Sequence, residues 1–245
     1  MSRCARVLCL LSFVACVSSP AFALPTTDEL LKSITDKATS VKTMQADTAS
    51  TTMTPAGDMK GAGQVFTAKS EVAGKTVQKM LMTLKSTMQA EDATMTTDVK
   101  IVNDGQFIWQ EMRMTVPRPM VQVVKSKVGQ AGGIMSAGAV TDGPDQLKKQ
   151  FNFTAVSEDA IDGRKMYVLE GTMKAAAPQG VPISKVKYCF DEESLMLRRM
   201  VALDKADKEV TRFDLTNVKV NEELDPKMFD YAPPPGARII DRTNN

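Results

Sequence analysis

With 245 residues the chain can bury one sizeable core, and its 31 Lys+Arg against 29 Asp+Glu leave a formal charge of only +2. So small a charge argues against nucleic acid or an anionic membrane surface as an electrostatic partner. The sequence has no histidine, which removes Ser-His-Asp and Cys-His catalysis and every histidine-based metal site.

Residues 1–23 read as an export signal. Arg3 and Arg6 precede an apolar run over 7–17, and Ala21-Phe22-Ala23 places a small-x-small step before a cut ahead of Leu24. The run is too short to persist as a membrane span. Cys16, closing the stretch "FVAC", offers the alternative of a lipid anchor. Cleavage after Ala23 removes Cys4, Cys9 and Cys16 and leaves Cys189 alone, so no internal disulfide holds the fold. It also removes Arg3 and Arg6 but no acid, so residues 24–245 carry equal numbers of both signs. They are expected to form a single domain.

Residues 26–41 predict a helix. Thr26 with Glu29 makes a capping box, and Leu30, Ile34, Ala38 and Val41 define one apolar stripe. From Met44 the period falls to two, and strands are expected over 42–53, 64–70, 77–84, 96–102 and 106–116. Pro55-Ala56-Gly57-Asp58, Ala73-Gly74-Lys75 and Asn103-Asp104-Gly105 separate them as turns, which makes neighbouring strands antiparallel. Pro117-Arg118-Pro119 ends this run. A helical segment is expected next, with Met120, Val124 and Val128 on its inward face, followed by a Gly/Ala/Ser-rich passage over 129–144. A short helix at 144–150 returns the chain to strands over 151–156, 165–173, 184–190, 195–203 and 209–220, with Asp162-Gly163 and 204–207 as turns.

No catalytic constellation emerges. Cys189 shares strand parity with Lys185 and Lys187, but it has no histidine to activate it and reads as structural. "AGKT" over 73–76 lacks the first glycine of a phosphate loop, because position 69 is lysine. The adjacent acids at 91–92, 158–159, 192–193 and 222–223 sit in polar, turn-like contexts. The expectation is a protein that is not an enzyme and carries no cofactor or metal.

The apolar inventory is more telling. There are 17 methionines but one tryptophan and 3 tyrosines. Met80 and Met82, followed by Leu84, alternate on one face, as do Met112 and Met114. Methionine fills ordinary cores and also lines surfaces that accept varied apolar partners. In "VNDGQFIWQEMRMTV", Phe107 and Trp109 are out of phase with Met112 and Met114. One β-bulge near Gln110-Glu111 would bring all four to one side. The alternative is a straight strand buried on both faces. Repeated bends would curl the sheet around an apolar concave face capped by helices.

Three stretches support a resemblance. "VNDGQFIW", "DGRKMYVLEG" and "LDPKMFDYAPPPGARIID" occur in an order similar to that of the LolA-type periplasmic lipoprotein carriers and their LolB-, RseB- and LppX-like relatives. The similarity runs from about 28 to 241. It implies an α+β fold: an unclosed antiparallel β-barrel of about ten to eleven strands, with an N-terminal helix and a helical lid around 129–143 between the two strand runs. It implies a periplasmic carrier that holds the acyl chains of lipoproteins or lipids and moves them between membranes. An inner-membrane ABC transporter and an outer-membrane acceptor would be its partners, and the carrier would be a monomer. An RseB-like signalling module and a lipid-anchored glycolipid binder of the LppX kind are the alternatives. The parity argument supplies the cavity candidates: Met80, Met82, Leu84, Phe107, Trp109, Met112 and Met114, with Met120, Val124 and Val128 from the insertion. The family's Arg-Pro step is replaced by Lys69-Ser70 in "FTAKSEVAG", so no lid-latching residue is assigned.

Overall fold

The computed structural model describes residues 24–55, 57–72, 74–90, 93–115, 119–128, 143–174 and 183–244. Helix α1 (Thr27–Ser40) starts at the expected capping box, in which Thr26 Oγ1 accepts from the Glu29 amide and the Glu29 carboxylate accepts from the Thr26 amide. Its buried stripe is Leu30, Leu31 and Ile34, while Ala38 is exposed.

Most of the other described residues form one large sheet. Its strands are β1 (Thr43–Thr54), β2 (Gly57–Val72), β3 (Lys75–Ala90), β4 (Ala93–Asn103), β5 (Phe107–Met114) and β6 (Met120–Lys127), then β7 (Phe151–Ile161), β8 (Arg164–Met173), β9 (Lys185–Asp191), β10 (Leu197–Leu203), β11 (Glu209–Val220) and β12 (Arg238–Asp241). A second helix, α2 (Gly143–Gln150), precedes β7, and a 3-10 turn, Pro226–Phe229, follows β11. The strand order is β12-β6-β5-β4-β3-β2-β1-β11-β10-β9-β8-β7. Every pairing is antiparallel except β12 on β6, and β12 and β7 form the two open edges. Two meanders therefore meet where β1 pairs with β11.

One face of the sheet carries the main core. Val65, Met80, Met82 and Ile101 from one meander share a cluster with Leu169, Val186, Tyr188, Met200 and Phe213 from the other, and Leu30, Leu31, Ile34 and Leu147 of the helices complete it. Strands so far apart in the sheet reach one core only if the sheet curls around it. We call this the inner face. A smaller cluster of Met166, Val168 and Cys189 lies on the outer face of β8 and β9. In β2, Gly63 leaves no room for a side chain: a Cβ there would stand 1.9 Å from the Thr83 carbonyl oxygen.

Three expectations change. The sheet has 12 strands rather than ten to eleven. Two strands lie outside the ten expected ranges: β12, and β6, where a helix was expected. Met120, Val124 and Val128 are spaced by four, which fits a helical stripe and a strand face equally well, and the β-branched Val121, Val123 and Val124 favour the strand. No bulge interrupts β5, whose register against β4 runs unbroken from Thr97–Met114 to Asn103–Ile108. The expected lid lies outside the described residues, apart from Gly143, which opens α2.

Candidate functional site

Cross-strand partners share a face, so the registers give the inner face row by row. One row runs Met44, Thr67, Met80, Asn103 and Ile108. The next holds Ala46, Val65, Met82, Ile101, Gln110 and Val124. A third holds Thr48, Gly63, Leu84, Val99 and Met112, and a fourth Ser50, Gly61, Ser86, Thr97, Met114 and Met120. The last complete row is Thr52, Met59, Met88 and Met95.

Burial falls along these rows. Met80 is 1% exposed and Met82 5%, sealed in the same cluster as the α1 stripe. Leu84, Met112, Met114 and Val124 are only half-buried, and Met120 is 37% exposed. The sheet thus offers a closed end beneath α1 and an apolar, partly open end floored by Leu84, Val99, Met112 and Met114. Small residues, Gly61, Gly63, Ser50 and Ser86, occupy its middle. Thr48 Oγ1 is buried there with no hydrogen-bond partner among the described residues.

Of the candidates, Met80, Met82, Leu84, Met112, Met114, Met120 and Val124 share this inner face. Val128, just past β6, is 48% exposed. Phe107 and Trp109 do not join them, because with no bulge in β5 they point to the outer face. There Trp109 stacks against Tyr231 with 5.4 Å between ring centroids, and its Nε1 donates to Asp104 Oδ2 at 2.9 Å. Tyr231 donates from its hydroxyl to Glu111 Oε2 at 2.8 Å, and Arg113 pairs with the other carboxylate oxygen. Lys125 lies over the Phe107 and Trp109 rings, and Lys100 over Tyr231.

The group's purpose is topological. After β11, in the middle of the sheet, the chain must reach the far edge to become β12, and it does so as a strap over the outer face. Phe229, 1% exposed, and Tyr231 pin that strap to β3, β4 and β5. Burial opposes ionisation of Glu111, yet the Tyr231 and Arg113 hydrogen bonds hold its carboxyl below the usual range. Burial and the bond to Glu111 push Tyr231 upward.

Sequence reasoning missed one polar contact. Lys69 Nζ donates to the Ala38 and Thr39 carbonyls, both at 2.8 Å, and so caps the C-terminus of α1 from β2. The only signal was the lysine in "FTAKSEVAG". Cys189, 4% exposed, has its thiol pushed up to about 11 by burial, which favours the protonated form. Among the described residues no group of His, Cys, Asp and Glu could hold a metal ion.

The sequence model of the family described as "Outer membrane lipoprotein carrier protein LolA" matches residues 92–232, more than half the chain. The protein belongs to the LolA family. No curated protein matches this LolA-family sequence significantly. Among solved structures, the chain is similar to an uncharacterized conserved protein from Thermus thermophilus, with 12% identity, TM-score 0.49, and 88% of this chain and 98% of that one covered. A putative outer membrane lipoprotein-sorting protein domain from Vibrio parahaemolyticus shares 11% identity at TM-score 0.39, covering 82% of this chain and 95% of that one. MucB from the Pseudomonas aeruginosa MucA/MucB complex shares 13% identity at TM-score 0.44, with 83% of this chain and 60% of that one covered.

Proposed function

We propose that this LolA-family protein is a non-enzymatic carrier that takes acyl chains of lipoproteins or lipids onto the open end of its inner face and moves them between membranes. The observation that carries the reading is the burial gradient from sealed Met80 and Met82 to half-buried Leu84, Met112 and Met114 on one face of the sheet. Each methylene withdrawn from water gains about 0.8 kcal/mol, so a lipoprotein's acyl chains need tens of kcal/mol of shelter. Flexible methionine side chains conform to chains of different length and unsaturation. The same reading places the protein in the periplasm with the leader cut after Ala23. It would receive its cargo from an inner-membrane transporter and pass it to an outer-membrane acceptor.

Native mass spectrometry of residues 24–245, purified without detergent from a membrane-containing host, tests the proposal. The expected result is a bound acylated mass released on denaturation. An apo protein that also takes up no fluorescent acyl probe would overturn it.

A further inference from the structure

We propose that Met59, Met88 and Met95 form a thioether site for a soft monovalent cation, Cu(I) or its redox-stable analogue Ag(I). Met59 stands opposite Met88, and Met88 opposite Met95, so three thioethers lie side by side on three adjacent strands and on one face. All three residues are half-buried, neither sealed in the core nor free in solvent. Partners across a strand pair hold their Cβ atoms about 5 Å apart. The outer two, Met59 and Met95, are then about 10 Å apart, and each sulfur, two bonds beyond its Cβ, closes that gap by rotating along the row toward Met88. Metal–sulfur bonds of about 2.3 Å, the length found for zinc thiolates, can then meet at one ion.

The donor chemistry is selective. A thioether is neutral and soft, so it favours Cu(I) over zinc and over hard cations that want oxygen. The Met88 sulfur is also available: Thr54 Oγ1 comes within 3.9 Å of Met88 Sδ, but it lies 2.7 Å from the Gly57 carbonyl oxygen, and its single proton goes there. Met114 and Met120, paired in the adjoining row, add a second pair of thioethers nearby. The site sits at the rim of the face assigned to acyl chains but does not rest on that reading, because an acyl chain needs only apolar area whereas the ion needs sulfur. Leucine separates the two.

The test uses residues 24–245 with Cys189→Ala, which removes the one thiol beyond the leader, and with carbon-13 in the methionine methyl groups. The protein is titrated with silver nitrate, followed by NMR. The expected result is that the Met59, Met88 and Met95 methyl signals move together to an equimolar end point, and that each single Met→Leu change weakens binding at least about tenfold. Uptake of a fluorescent acyl probe should survive the Leu changes. The proposal is overturned if those three signals stay still up to millimolar Ag(I), if they move with separate midpoints, or if the triple Leu variant binds one Ag(I) as tightly as before. Should a Leu variant fail to fold, the titration of the parent protein decides alone.

Discussion

Trp109 is the residue whose placement explains most. Its indole covers Tyr231 on the outer face and gives its N–H to Asp104, so a ring that sequence parity left unexplained is a fastening point for the strap. The neighbouring carboxylate sets a pH limit. Glu111 ionises more readily in the fold than its ordinary value of 4.5, so its contribution to stability is present above that value and is lost as pH falls through the lowered one. Tyr231→Phe removes one of the two hydrogen bonds that depress it and leaves the burial cost in place. Denaturant unfolding should show a loss of about 1–2 kcal/mol at neutral pH, shrinking in acid once Glu111 is protonated in both proteins. An undiminished loss at low pH would mean that the hydroxyl acts by packing alone.

Elements tell how much the sequence could disclose. Helix α1 was legible at its start and in Leu30 and Ile34, because a capping box and a helical stripe are local; Leu31 was missed, and Ala38 of the expected stripe is exposed. The turns at Asp162-Gly163 and Asn103-Asp104-Gly105 were legible too, since Asp162, Gly163 and Gly105 all take positive φ. Strand β2 was cut short to 64–70, because "GDMKGAG" holds few residues that favour a strand; its pairing with β1 and β3 forms it anyway. Strand β6 was mistaken for a helix for the opposite reason, an apolar spacing that fits both periods. The contact that docks α1 was invisible, since Lys69 reaches carbonyls 30 and 31 residues away. Lys69→Met keeps the aliphatic stem and removes the cap. The last turn of α1 should then exchange its amide protons about fivefold faster or more, a loss near 1 kcal/mol, with the sheet unaffected. Exchange unchanged at 37–41 would show that the core stripe holds the helix unaided.

On the scale of the whole molecule, the two faces of one sheet carry different tasks, and β5 shows the division within eight residues. Met112 and Met114 look into the curl and Trp109 looks out. A reading of parity alone joined them through a bulge, because nothing local announces that a segment some 120 residues later will cover the back of the strand. The division makes a sharp forecast from two substitutions only five positions apart. Trp109→Ala strips the outer face and should cost about 2–3 kcal/mol in denaturant unfolding, since a half-buried ring and its stacking partner are lost. Uptake of an acyl probe by the folded fraction should be unchanged. Met114→Glu places a charge where the inner face is half-open to water, so it should cost less than about 1 kcal/mol in stability. Yet it should lower probe affinity about tenfold or more, because an acyl chain seated there would strip the carboxylate of solvent. Equal effects of the two changes on both measurements would mean that inner and outer face do not divide the work, and the carrier reading would lose its geometric basis.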